Sequence, residues 1–164
     1  MSAVSNTSPL RYLIAVGQAD LLFQLFGEVL IPPGVATELS HASAPLAIRQ
    51  WMVQPQNWLR VHVLNSQPDA ELQAALDPGE REAIQLATER STEVLIMDEW
   101  KGRSIVHTRG LPLIGALGVL GEAYRRELID NPLEILADMR RQGFRINDEL
   151  VARFKTLLHT RYGR

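Results

Sequence analysis

Val94-Leu95-Ile96-Met97-Asp98 is a run of four apolar residues that ends on a carboxylate. A continuous apolar run of this length, bounded by polar residues, reads as a strand buried on both faces, as in the middle of a parallel sheet. The aspartate then sits at the strand's carboxyl end, the rim where open α/β sheets bind ligands. Working outward, similar short runs recur at Ala3–Ser5, Glu28–Ile31, Leu59–Leu64 and Leu113–Ile114, separated by segments with helical spacing of apolar residues. The alternation predicts a mostly parallel sheet of about five strands covered by helices.

The helical segments carry their own punctuation. Thr7 or Ser8 can cap a helix with Pro9 at its first position, where proline loses no needed hydrogen bond. That helix continues through Leu10–Val16, and Ala19–Phe26 is a second, ended by Gly27. Pro32-Pro33 opens a helix through Glu38 and Leu39, and Ala44–Met52 is another, with Pro45 near its start. A short loop follows at Gln54–Asn57, which includes Pro55. Asp77-Pro78-Gly79-Glu80 is a turn into a helix whose stripe is Ala83, Ile84 and Ala87, running to Arg90. Ala116–Glu127 and Leu133–Gln142 complete the interior set, the latter closed by Gly143. A terminal amphipathic helix at about residues 148–160 places Leu150, Val151, Phe154, Leu157 and Leu158 on one face and is expected to dock.

Composition narrows the chemistry. The 164 residues, 46% of them hydrophobic, suit one domain with a sizeable core. No apolar run is long enough to span a bilayer, and no leader pattern precedes the first strand, so a soluble, cytoplasmic protein is expected. With no cysteine and four scattered histidines lacking metal-binding spacing, any metal must be a hard cation held by oxygen. A net charge of −2 argues against gripping nucleic acid by bulk charge, although cations bound to carboxylates invert the local field. Basic residues gather toward the C-terminus, among them Arg125, Arg126, Arg140, Arg141, Arg145, Arg153, Lys155 and Arg161. They read either as a phosphate-facing surface or as the solvated side of helices.

Four polar residues fall where a strand ends or a helix begins on the same rim: Asn6, Glu38, Glu80 and Asp98. Glu80 starts a stripe that otherwise points inward, a costly place for a carboxylate without a cation. Each also has a plainer reading. Glu80 can favour the positive end of a helix dipole, Asp98 can cap the helix beginning near Trp100, Asn6 can form an Asx turn, and Glu38 can be a surface residue. Their convergence on one rim favours a site. A phosphoacceptor role for Asp98 fits less well, because the paired aspartates that such chemistry uses after the first strand are replaced by Asn6-Thr7-Ser8.

Val4-Ser5-Asn6-Thr7-Ser8-Pro9-Leu10, Gly27 to Val35 with Glu38-Leu39, Pro78-Gly79-Glu80 with Ala83-Ile84, Leu95-Ile96-Met97-Asp98 with Gly102-Arg103, and Gly115 with Leu117-Gly118-Val119-Leu120 occur in a fixed order. Together this set resembles the DUF3368 branch of PIN domains, in the superfamily of VapC-like toxins. The resemblance implies a three-layer α/β/α fold and a Mg²⁺- or Mn²⁺-dependent endoribonuclease of the kind found as the toxin of toxin–antitoxin pairs. It implies catalytic and metal roles for Asn6, Glu38, Glu80 and Asp98, with Ser8, Glu99, Lys101 and Arg103 auxiliary. It also implies RNA as substrate, a small antitoxin and a homodimer as partners, and no membrane association. One or two divalent cations would activate the nucleophile and relieve charge on the phosphate, needing only a few carboxylates.

Asn6 departs from the family's aspartate at its position, and Ala116 stands where relatives often have a hydroxyl residue. An amide oxygen can ligate Mg²⁺ but brings no charge, and one charge at about 4 Å is worth roughly 4 kcal/mol at an effective dielectric near 20, before solvation offsets. The site is therefore expected to bind metal weakly and cleave weakly or conditionally. The alternative is a module that holds nucleic acid or an antitoxin without cutting.

Overall fold

The apolar runs assemble into one five-stranded sheet in a computed structural model that describes residues 2–54, 56–98 and 100–163, with only the backbone of 100 and 101. The described residues run β1 (Ser2–Ser5), α1 (Thr7–Ala15), α2 (Asp20–Phe26), β2 (Glu28–Ile31), α3 (Pro33–Ser40), α4 (Leu46–Met52), β3 (Leu59–Val61), α5 (Ala70–Ala75) and α6 (Pro78–Arg90). They continue through β4 (Val94–Ile96), α7 (Trp100–Thr108), β5 (Leu113–Ile114), α8 (Ala116–Arg125), α9 (Pro132–Arg141) and α10 (Asp148–Thr160). The strand order is β3-β2-β1-β4-β5, with every pairing parallel.

Register and burial explain the three layers. Val4 pairs with Leu30 and Leu95, and Leu95 with Leu113. These side chains point to one face, where Val4, Leu30, Leu95 and Met97 pack with Leu72 of α5, Ala83, Ile84, Leu86 and Ala87 of α6, and Val106 of α7. The neighbours Ala3, Val29, Ile31 and Ile96 point to the other face, covered by apolar residues of α1 to α4 and α8 to α10. Alternate residues of each strand thus serve different cores, which is why the runs are continuously apolar. Fully buried leucines such as Leu10, Leu13 and Leu22 each contribute roughly 1.5–3 kcal/mol through removal from water. Leu21, Leu22, Leu25 and Phe26 are all buried, so that stretch is core.

Several local expectations shift. α1 begins at Thr7, with Asn6 at the cap position making no side-chain capping bond, and Pro9 is its third residue. Thr7 is drawn elsewhere, as described below. β3 stops at Val61 rather than Leu64, because it is an edge strand: Val61 and Val63 are exposed and have no second face to bury. The helix at Ala70–Ala75, capped by Asp69 through the amide of Leu72, was not expected. Part of the loop expected at Gln54–Asn57, namely Pro55, lies outside the described residues. On α10 only Phe154 and Leu158 are buried, whereas Leu150 and Leu157 are 39% and 38% exposed. At about 100° per residue, Leu150 and Leu157 lie on one flank of the stripe and overhang a groove beside Leu117 and Gly118 of α8.

The contact between α8 and the C-terminal segment is close. A Cβ on Gly121 would lie 2.4 Å from Cε2 of Tyr162, a ring only 6% exposed. Gly121→Ala is expected to destabilise by about 1–3 kcal/mol through overpacking. For a chain of this length that corresponds to a melting temperature lower by roughly 2–12 °C, measurable by calorimetry. An unchanged melting temperature would show that the segment carrying Tyr162 yields freely.

Candidate active site

The strand order reverses direction between β1 and β4, with β2 and β3 on one side and β5 on the other. Chain connections leave the sheet to opposite sides there, and the crevice beyond the carboxyl ends is open to a ligand. Asn6 and Asp98 flank this point. The amide of Asn6 donates to the carbonyl of Ile96 at 2.9 Å, so Asn6 extends the β1–β4 ladder by one bond. Its residue is 2% exposed, and its Oδ1 is buried with no hydrogen-bond partner. Asp98 follows β4 after Met97, whose amide still bonds to Ile114. Asp98 Oδ1 accepts the amide of Ala116 at the start of α8 at 2.9 Å, while Oδ2 is buried without a partner.

Buried polar atoms are almost always satisfied, and leaving one unpaired costs about 1–3 kcal/mol. Two such oxygens stand at the ends of adjacent strands, where an electropositive ligand would satisfy them. Burial pushes the Asp98 carboxyl above its ordinary pKa of 3.8, against the opposing pull of the Ala116 amide and the Arg103 charge. Arg103 Nη1 donates to the carbonyl of Met97 at 3.2 Å. Gly115 makes this packing possible, since a Cβ there would lie 2.6 Å from Arg103 Nη1 and 2.7 Å from Asp98 Oδ1.

Glu38, on α3, is half-buried with both carboxylate oxygens engaged. Its Oε2 accepts the Thr7 hydroxyl, and its Oε1 accepts the Gly79 amide at 3.1 Å. One carboxylate thereby ties α1, α3 and the first turn of α6. Glu80 follows in that turn; its amide is capped by Asp77 Oδ1 at 2.9 Å. Its own carboxylate approaches α7, with Oε2 3.5 Å from the place a Cβ on Gly102 would occupy. Asn6, Ser8 and Glu38 line a depression of about 210 Å³ with Thr7, Arg11 and Asp77. Asp98 and Arg103 line a separate cavity of about 670 Å³.

The carboxylates of Glu38 and Asp98 therefore line two separate hollows, and that of Glu80 lies against α7, without closing into a cage. Among the described residues no group of three His, Cys, Asp or Glu side chains stands close enough to hold a metal. The physical reason is visible in the partners: Glu38 spends both oxygens on Thr7 and Gly79, and Asp98 spends one on Ala116. The donor set is all oxygen, and two of its members are unsatisfied. That fits a hard divalent cation such as Mg²⁺, which keeps several waters and takes few protein ligands. Glu99 lies outside the described residues, as does the side chain of Lys101. Thr7 as the partner of Glu38, and Arg11 on the rim, were not foreseen from the sequence, whereas Gly115 stood in its last motif without a stated role. Only the position of Thr7 immediately after Asn6 offered a signal.

The family model DUF3368, described as a PIN domain, matches residues 2–160. No curated protein matches the chain significantly.

Proposed function

This chain belongs to the DUF3368 family of PIN domains, a nuclease fold, and from that premise we propose that it is a Mg²⁺- or Mn²⁺-dependent endoribonuclease acting on single-stranded or looped RNA. The observation that carries the reading is the pair of unsatisfied buried oxygens, Asn6 Oδ1 and Asp98 Oδ2, at the switch point of the sheet. Asn6 and Asp98 would hold the cation, with Glu38 and Glu80 completing its surroundings. When bound, such a cation lowers the cost of forming a hydroxide nucleophile at neutral pH and offsets charge on the phosphate.

The chain's own residues supply the rest. Arg103 commits one guanidinium nitrogen to Met97 and keeps further N–H donors for a non-bridging phosphate oxygen. The Ala116 amide and the start of α8 hold Asp98 in place, with the partial positive charge of a helix N-terminus beside its carboxylate. Thr7 and Gly79 fix Glu38, keeping the α1 and α6 walls of the crevice at a set distance. Ser8 and Arg11 complete the polar rim.

A second reading is favoured by one observation, the neutral Asn6 in a rim without a closed acidic cage: a module that binds RNA or a partner without cutting. Incubating the purified chain with end-labelled single-stranded RNA, with and without Mn²⁺, separates the two. Metal-dependent cleavage is expected, and Glu80→Gln should lower it roughly 10–100-fold, the usual loss on removing a metal-site support. RNA binding that is unaffected by chelator, with no cleavage of any RNA tested, would leave only the binding module.

The toxin role, a small antitoxin and pairing into a homodimer belong to the same proposal. Growth arrest on expression, relieved by a small protein encoded alongside, is the test. Among the described residues no helix is long and apolar enough to cross a membrane.

A further inference from the structure

The cavity of about 670 Å³ beside Asp98 shares no lining residue with the depression that holds Asn6 and Glu38. Its charged lining is Arg103, Arg145 and Arg161 against Asp98 and Glu122. Glu122 is already paired with Arg125 and Arg126, so the wall is cationic in balance. The other C-terminal arginines divide differently: Arg140 pairs with Asp148 and Arg141 with Asp138. Arg145 and Arg161 are exposed and neither forms a salt bridge among the described residues, although the charge of Arg161 adds to those that stabilise the Glu122 carboxylate.

Both arginines stand next to a buried aromatic anchor. Arg145 follows Phe144, which is 8% exposed and meets Tyr12 edge-on at 5.3 Å. Arg161 precedes Tyr162, held against Gly121, and its guanidinium lies 5.5 Å over that ring. The backbone carrying each charge is therefore fixed, which lowers the entropy lost when the side chain engages a ligand. Guanidinium groups match phosphate oxygens in a two-pronged geometry, and here three of them line the cavity that Asp98 also lines.

We propose that this cleft carries the backbone of a single-stranded RNA on one side of the cleavage point, with Arg145 and Arg161 contacting successive phosphates and Arg103 nearest Asp98. The proposal rests on the nuclease reading for its orientation. An extended strand can lay a phosphate near a carboxyl as buried as that of Asp98, where a bound cation would offset the repulsion between the two anions, whereas a rigid duplex cannot.

The test is binding of a fluorescein-labelled 12-nucleotide uridine RNA to the full chain, followed by anisotropy in EDTA at several salt concentrations, with the matching DNA as a second arm. The double variant Arg145→Gln/Arg161→Gln is expected to bind about tenfold more weakly, and its slope of log affinity against log salt should be shallower by about 1.4, or about 0.7 per lost phosphate contact. Arg60→Gln, on the edge strand β3 at the other side of the sheet, should leave both unchanged, and Arg161→Lys should retain most of the slope. Circular dichroism of each variant confirms that the fold is kept. An unaltered slope in the double variant, or no strand binding by the parent chain, overturns the proposal. Because EDTA removes the metal, a chain that binds in this way and never cuts refutes the nuclease reading alone. One that cuts with an unaltered slope refutes only the cleft.

Discussion

Asp98→Asn is expected to abolish metal-dependent cleavage while making the metal-free protein more stable at neutral pH. The two effects share one cause. Burial holds the Asp98 carboxyl above its ordinary pKa, with the Ala116 amide and Arg103 only partly offsetting it. A carboxyl raised in this way is protonated in the fold while already ionised in the unfolded chain, so the native state binds more protons across that window. Stability then falls as pH climbs from the unfolded pKa near 3.8 toward the folded value, and stays lower above it. Asparagine removes the titration and so removes the loss. The amide oxygen can still accept from Ala116, and no charge remains to be desolvated. The variant should melt a few degrees higher than the parent chain at pH 7 in EDTA, where about 1 kcal/mol corresponds to roughly 2–4 °C, and the gain should vanish near pH 3.5. Cleavage should drop about a thousandfold, since one carboxylate charge near a cation is worth roughly 4 kcal/mol at an effective dielectric near 20 and each 1.36 kcal/mol is tenfold in rate. A variant that cuts as well as the parent would remove Asp98 from the chemistry. One that is less stable at pH 7 and more stable at pH 3.5 would reverse the account of its burial.

The fold was open to reading because a parallel sheet buried on both faces leaves a strong local mark. Glu28–Ile31 and Leu113–Ile114 have the same limits in sequence and structure, for their residues serve both cores. The mark fades where one face meets water. β3 is an edge strand, and its apolar Val61 and Val63 gave no cue that pairing had ended. α5 escaped notice because a six-residue helix with one buried side chain, Leu72, has no periodicity to detect. The rim positions of Asn6, Glu38, Glu80 and Asp98 followed from strand ends and helix starts, which are local features. What each carboxylate touches did not follow. Glu38 meets Thr7 and Gly79 across 31 and 41 residues of chain, pairings that arise from the packing of α1, α3 and α6. The same holds for Arg145 and Arg161: the sequence left them as either a phosphate-facing surface or the solvated side of helices, and only the docking of the C-terminal segment brings them to the cavity that Asp98 also lines.

Restoring the acid at position 6 is expected to make stability depend on a divalent cation. Asn6 is 2% exposed, at the end of the strand adjacent to that of Asp98, and its Oδ1 has no donor to satisfy it. Asn6→Asp puts a second carboxylate at a buried strand end next to that of Asp98. Without metal the two acids cannot both ionise cheaply, so one takes up a proton or the fold pays for an uncompensated charge. The pKa of the new pair should therefore be raised in the fold, and in EDTA the variant should lose stability as pH rises from about 4 to neutrality, relative to the parent chain. A cation reverses the sign, because each oxygen that lacked a partner then has one. Affinity for Mg²⁺ or Mn²⁺ should increase by roughly 10–100-fold, less than the bare Coulomb figure because desolvation takes its share. At a metal concentration about 100 times the dissociation constant, binding adds about 2.7 kcal/mol, which lifts the melting temperature by roughly 5–10 °C over EDTA. The parent chain should shift much less at the same concentration. Cleavage by the variant should rise with its metal affinity. If Asn6→Asp melts like the parent chain in EDTA and gains nothing from Mn²⁺, then position 6 faces no cation, and the two unpaired oxygens must be satisfied by something else, such as water.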